Sequence, residues 1–581
     1  MPARGWLRAC WDLFDGSART RLVLILVLNL VAALLEAVGA GLLVPFIAMV
    51  GNPDYIVSQP ILQRVYQHLH MDSAAQFQVV TAMVLLTFFV AKNGFIAVTT
   101  SLQFSFVYRE MSRASTRLYA SYLRKPYEFH IRTNGSVLIR NVTNEVQMFF
   151  SNVLVPGLTV FSESAVVVAL LGLLLWLAPG PALLAMAVLG GLTLVFHFTV
   201  RRKVRRFGAI QQEEIARRIQ WINQGLGGIK EVKVLGREDF FVQAYAGHEQ
   251  RFSMVSRYAM VLNQMPRLFI ETVAFSSIFI SVAMVLVSGG QGETLLPTLA
   301  LFAVAAVRLM PSVNRIVSSI TRVSYYAPAL QVLAADLPAA GPTGPARHLA
   351  ADQAHAQAHA FAHEIAVQAL SFSYPGAGKP ALQDIDLVIP RGSSVALCGP
   401  SGSGKTTLAD VLIGLLQPTH GRALVDGVDL REAIDSGRVR MGYIPQSIYL
   451  CDDTIRRNVA FGLPDDRIDD TRVWQALESA QLAAHVRALP LGLDAVAGER
   501  GVTLSGGQRQ RIGIARALYD DPDVLVLDEA TSALDTDTER EITQAIDALA
   551  GKKTLIIIAH RTATIEKCNL RFNLDNGRLV A

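Results

Sequence analysis

The chain is poor in cysteine and in charge. Its four cysteines, Cys10, Cys398, Cys451 and Cys568, are far apart and match no metal-ligand spacing. All fall in segments read below as cytosolic, which argues against disulfides. Only 17% of the 581 residues are charged and 51% are hydrophobic, which is too apolar for an average soluble chain and long enough for more than one domain. No cleavable leader is visible. The first apolar run begins near Leu22, is too long for a signal core and lacks a small-residue cleavage site. The net charge of +5 is not a nucleic-acid signal, because Lys and Arg cluster between hydrophobic runs, as membrane orientation requires. A nucleic-acid partner is therefore not expected.

The long apolar runs all precede about Pro328 and predict six membrane spans: 22–50, 77–107, 151–178, 181–200, 259–288 and 295–325. Each approaches or exceeds the ~20 residues a span needs. Arg4, Arg8, Arg19 and Arg21 precede the first span. Arg109, Arg113, Arg117, Arg124, Lys125, Arg132 and Arg140 lie between spans two and three, and Arg201 to Arg237 between four and five. The other loops are nearly free of Lys and Arg, so both termini are placed in the cytosol. Residues 1–21, with Trp6, Leu7, Cys10, Trp11 and Phe14 on one helical face, read as an interfacial helix or as a frayed tail. The transmembrane domain is set at 22–328, a linker at 329–362 and a second domain at 363–581.

Both basic cytosolic loops are helical in composition, with punctuated tips at Lys125-Pro126 through Thr133-Asn134-Gly135 and at Gly225-Leu226-Gly227-Gly228. In the outward loop Ile61, Leu62, Val65, Tyr66 and Leu69 form an apolar stripe behind Pro60. It fits a helix on the outer membrane surface and equally one packed on the ends of spans one and two. The linker is rich in Ala, Gly and Pro. Its His355, His359 and His363 share the spacing of a metal face, although with no acidic or thiol partner nearby a flexible spacer is the plainer reading.

From Ile365 the pattern alternates strand and helix. Gly399-Pro400-Ser401-Gly402-Ser403-Gly404-Lys405-Thr406 is a complete phosphate loop after the strand Val395–Cys398. Its backbone N–H groups cradle phosphates, Lys405 reaches the β- and γ-phosphates, and Thr406 offers a hydroxyl to Mg²⁺. Leu504-Ser505-Gly506-Gly507-Gln508 is a glycine-rich helix start suited to an anion. Val524-Leu525-Val526-Leu527 is a buried strand that ends in Asp528 and Glu529.

Together these motifs resemble the ATP-binding cassette, and the six spans, the domain order and Glu499-Arg500-Gly501 are similar to ABC exporters over essentially the whole length. The resemblance implies an α-helical six-span membrane domain followed by an α/β cassette, acting as a homodimer on ATP and Mg²⁺. It also implies roles. Tyr374 stacks on adenine, and Thr407 joins the phosphate loop in binding ATP. Gln446 and Asp528 join Thr406 around Mg²⁺, Glu529 is the general base, and His560 contacts the γ-phosphate. Ser532-Ala533-Leu534-Asp535 crosses the dimer interface, and Leu504–Gln508 closes the partner's ATP site. The two loop tips correspond to coupling helices. The setting is a bacterial inner membrane with the cassette in the cytosol.

Ionisable residues inside spans are functional candidates by default. Lys92 and Arg308 lie roughly 20 Å below the outer surface at 1.5 Å per residue, and Glu163 lies at a similar depth. Arg267, Glu271 and Arg315 are nearer the cytosol, and Glu36 is near the middle of span one. Two readings stand. Either Lys92 or Arg308 pairs with Glu163, and Arg267 with Glu271, to fix helix packing. Or Lys92, Arg267 and Arg308 face a basic, water-filled cavity that takes a phosphate or pyrophosphate headgroup. The segments 228–238 and 308–316 resemble flippases of lipid-linked oligosaccharides in bacterial N-glycosylation. That resemblance implies a polyprenyl pyrophosphate carrier as cargo, moved to the outer leaflet through membrane lipid. The alternatives are a multidrug or lipid A-type exporter and a non-transporting regulatory cassette subunit.

Overall fold

A computed structural model describes residues 10–51, 54–68, 73–177, 191, 203, 206–287, 292–337, 361–498, 501–528, 543–558 and 565–580. All of the fourth expected span but Gly191, and most of the linker, lie outside these. The chain divides into two compact units, 1–125 with 133–343, and 126–132 with 344–581.

The first unit is helical. Its elements are α1 (Gly16–Gly51), α2 (Pro60–His68), α3 (Ala74–Leu123), α5 (135–177), α6 (206–227), α7 (Ile229–Leu235), α8 (Glu238–Val287) and α9 (Gly292–Asp336). The short α4 (Tyr127–Arg132) falls in the second unit. Three helices, over 16–51, 74–123 and 135–172, are long and apolar enough to cross a membrane among the described residues. At 50 residues each, α3 and α8 run to ~75 Å, well over the ~30 Å hydrocarbon core, so both extend far past it.

The first tip contains α4 behind Pro126, followed by Asn134, whose side chain accepts from the Ser136 N–H at 2.9 Å and caps the start of α5. The second tip turns at Gly228 and carries α7, which stops at left-handed Gly236. Two π turns, Asn141–Glu145 and Phe150–Leu154, interrupt α5.

Residues 1–9 of the expected interfacial helix, with Trp6 and Leu7, lie outside the described residues. Phe14 is buried against Phe106 and Phe150 rather than turned to lipid, while Trp11 stays exposed beneath the Arg19 guanidinium. In the loop between the first two expected spans Tyr66 turns edge-on to Phe77 and joins Met49 and Ile56, which ties α2 to the ends of α1 and α3.

The cassette begins at Phe361, which is buried in the core. One sheet is antiparallel in the order β2 (Leu382–Pro390), β1 (Glu364–Phe372), β4 (His420–Val425), β5 (Val428–Asp429). The other runs β10 (Arg578–Val580), β9 (Leu570–Asp575), β3 (Ser394–Cys398), β8 (Thr554–Ile558), β7 (Val524–Asp528), β6 (Met441–Ile444), parallel except for β10. The runs in β3, β7 and β8 are unbroken because a central parallel strand is buried on both faces. The cassette's main helices are α10 (Lys405–Leu412), α11 (Leu430–Asp435), α12 (Ile455–Val459), α13 (Asp470–Ser479), α14 (Ala483–Ala488) and α15 (Gly506–Leu518).

Candidate functional site

Because β3, β8, β7 and β6 are parallel neighbours, their carboxyl ends share one edge, where open α/β sheets bind ligands. The phosphate loop leaves β3 at Gly399, Asp528 ends β7, and Gln446 follows β6 by two residues. The expected residues Glu529, His560 and Ser532–Asp535 lie outside the described residues, as do His355 and His359.

The loop is built for a close approach. Gly399 and Gly404 have φ of 141° and 104°. A Cβ on them would stand 2.1 Å from the Leu574 carbonyl oxygen and 2.8 Å from that of Ala381, so glycine is required at both. Lys405 is buried, and its Nζ donates to the Gly399 and Pro400 carbonyls at 2.8 Å each. The Ser403 hydroxyl is buried without a partner. A glycine cradle, an orphaned hydroxyl and a lysine held by the loop fit a phosphate chain. Thr406, Gln446 and Asp528 supply hydroxyl, amide and carboxylate oxygens, the hard donors Mg²⁺ takes. Among the described residues no three His, Cys, Asp or Glu side chains gather into a metal site, and one carboxylate beside substrate phosphates is enough for this ion.

Tyr374 is half-buried, edge-on to Phe372 at 4.9 Å, with its hydroxyl 3.2 Å from the Thr407 Oγ1. Ser505 caps α15. Its Oγ accepts from the Gln508 N–H at 3.2 Å, and the Gln508 Oε1 accepts from the Ser505 N–H at 2.9 Å. This Ser-Gly-Gly-Gln capping box is a sequence signal that the motif reading passed over.

Two further groups went unread. Asp410, on the buried face of α10, sits close enough to Asp528 to feel its charge; burial first, then that neighbour, pushes its carboxyl up to about 6. Burial, Asp528 and Asp410 likewise raise Tyr443 well above the usual phenol range. An acidic residue between Leu408-Ala409 and Val411-Leu412 was the available clue to Asp410.

In the membrane unit, Lys92 is buried at 5% exposure with its ammonium 5.0 Å from the Phe89 ring centre. Arg267 is exposed, and the Arg308 side chain is outside the described residues. Among the described side chains the cation on Glu163 is Arg315, at 2.9 Å, with Ser312 as a further hydrogen-bond partner. Sequence depth placed Arg315 too near the cytosol to be considered for that pairing. A long guanidinium reaches across the difference.

This membrane unit and cassette define a half-transporter with a nucleotide-hydrolysing domain. Residues 382–532 match the ABC transporter family and 26–321 match the ABC transporter transmembrane region, so the chain belongs to the ABC transporters. It is a membrane-spanning exporter-type ATPase that couples ATP hydrolysis to transport. It is 32% identical over 481 residues to an ATP-dependent lipid A-core flippase of Cupriavidus pinatubonensis, covering 81% of this chain and 79% of the relative. It is 34% identical over 464 residues to one of Burkholderia orbicola, covering 78% and 74%. A bacterial Atm1-family ABC exporter solved with ATP bound superposes with a TM-score of 0.77 at 21% identity, covering 98% of this chain and 95% of the other. That likeness establishes the exporter fold.

Proposed function

We propose that the chain is a homodimeric ATP-driven lipid exporter of a bacterial inner membrane, moving a phosphate-bearing glycolipid from the cytosolic to the outer leaflet. The observation that carries this is the likeness to lipid A-core flippases across both the membrane and the cassette portions. It favours a lipid A-type cargo over the polyprenyl pyrophosphate oligosaccharide expected from segments 228–238 and 308–316, which stays as the second reading. Lys92, Arg267 and Arg308 are the proposed headgroup cations for either, since both cargoes present phosphate.

In the cassette, Tyr374 takes the adenine, and the phosphate loop with Lys405, Thr406 and Thr407 takes the phosphates. Thr406, Gln446 and Asp528 would hold Mg²⁺, which when bound neutralises phosphate charge. Glu529 accepts the proton of the attacking water, and His560 contacts the γ-phosphate. A second copy supplies Leu504–Gln508 and the loop Ser532–Asp535. The second tip supports such pairing, because Leu226, Val234 and Leu235 are each more than 65% exposed on a single chain.

The test is ATP hydrolysis in lipid bilayers with lipid A-core, then with a polyprenyl-pyrophosphate oligosaccharide, using Lys92→Ala and Arg308→Ala beside the wild type. Stimulation by lipid A-core that disappears in both variants supports the main reading. Stimulation by the oligosaccharide alone transfers it to the second. Stimulation by neither, with basal hydrolysis intact, sinks both.

A further inference from the structure

The loop after Gln446 and α15, the helix that starts at the turn Leu504–Gln508, are fastened together by two side chains. Asn458, on α12, is wholly buried. Its Oδ1 accepts from the Cys451 N–H at 2.9 Å and from Arg516 Nη2 at 3.2 Å. Its Nδ2 donates to the carbonyls of Cys451, Asp453 and Thr454 at 3.0, 3.2 and 3.1 Å. Arg516, in the last turn of α15, donates from Nε to the Asn458 carbonyl and from Nη1 to the Tyr449 carbonyl, both at 2.8 Å. Its guanidinium lies 4.4 Å from the Phe461 ring centre. A separate contact joins the same two pieces. A Cβ on Gly513 would stand 2.4 Å from Ile448 Cδ1, so Ile448, two residues after Gln446, lies against the bare backbone of α15.

We infer that Arg516 and Asn458 are positioning residues that make the Gln446 loop and the turn Leu504–Gln508 move as one piece. A displacement of Gln446 at one ATP is thereby delivered to Ser505 at the partner's ATP. The physical reason is the fork. Three charge-assisted bonds from one planar, half-buried group to Tyr449 and Asn458 do not lengthen independently. A lysine ammonium, a point charge on a flexible stem, cannot hold the same acceptors in register. The inference rests on the roles proposed above for Gln446 and Leu504–Gln508 in a homodimer.

The experiment uses the full chain in lipid bilayers, comparing wild type with Arg516→Lys, Asn458→Asp and Gly513→Ala. ATP hydrolysis is normalised to nucleotide-binding sites titrated with a fluorescent ATP analogue, so that unfolded protein does not count. The expected result for Arg516→Lys and Asn458→Asp is a fall in kcat per site of about tenfold with KM within about twofold, and a Hill coefficient for ATP that drops toward one. Gly513→Ala, which wedges Ile448 away, shifts the same parameters in the same direction. A purely structural clamp lowers the melting temperature and the number of binding sites but leaves kcat per site unchanged; that result in all three variants overturns the inference. A change confined to KM also overturns it, because it would place the clamp in nucleotide binding. Cross-linking separates the two readings. A wild type that does not dimerise sinks the homodimer and the relay together, whereas a dimeric wild type with unaffected variants sinks the relay alone.

Discussion

In the cassette the large aliphatic side chains of Ile365, Leu370 and Leu382 are withdrawn from the surface, whereas on α3 Val79, Val84 and Val90 all stand more than 60% exposed. The membrane unit keeps few of its own apolar groups inside because lipid receives the rest. The two units also satisfy their buried polar groups differently. In the membrane unit several meet side chain to side chain across helices: Asn29 with Gln103 at 3.2 Å, Glu163 with Arg315, and Tyr122 with Asp336 at 2.6 Å. In the cassette they meet backbone. Buried Lys405 donates to the Gly399 and Pro400 carbonyls, and Asn458 holds three carbonyls. A long helix has already paired its main chain, so its polar side chains must seek one another; turns leave backbone groups free.

Variants can break or sharpen that contrast. The largest effect belongs to the cassette: Glu529→Gln lowers kcat for ATP by about 10²–10⁴ with nucleotide binding retained, read by steady-state hydrolysis and ATP titration. Gly399→Ala follows, because its Cβ meets the Leu574 carbonyl on a backbone that L residues avoid; the expected cost is at least ~1–3 kcal/mol, with loss of nucleotide binding, read by thermal unfolding and titration. Asp410→Asn is a stabilising change with a pH signature. Since the folded carboxyl titrates at about 6 rather than near 3.8, the folded state holds the proton more tightly. Wild-type stability therefore falls as pH rises from about 4 through about 6, and the variant gains on the order of 1–3 kcal/mol above pH 7 and nothing below pH 4. Nucleotide-free melting curves across pH measure it.

The membrane unit yields smaller effects. Glu163→Gln leaves Arg315 without its anion and costs roughly 1–2 kcal/mol, less than a fully buried pair because the Arg315 side chain is 56% exposed. Melting in detergent reads this; a rise in stability would mean that the pair is strained. Asn134→Ala removes the cap at the first tip and costs about 1 kcal/mol locally, visible as faster amide exchange at the start of α5.

The turns of the phosphate loop and the cap at Ser505 were legible because these motifs are contiguous and built by local backbone, whereas Glu529, His560 and Ser532–Asp535 lie outside the described residues. Gly399 to Thr406 and Leu504 to Gln508 carry their own turns and caps, and β7 announces itself as an aliphatic run ending in acid. Hydrophobic length likewise decided that the first unit belongs in a membrane. The tertiary structure alone decided who meets whom across distance: Arg315 on Glu163, Asp410 beside Asp528, Phe14 inward, and Arg516 on the loop after Gln446. Helical period says which face a residue occupies but not the height of its partner on the next helix, and a long side chain can cover a full turn. Pairings of that kind depend on packing between elements, which no local spacing encodes.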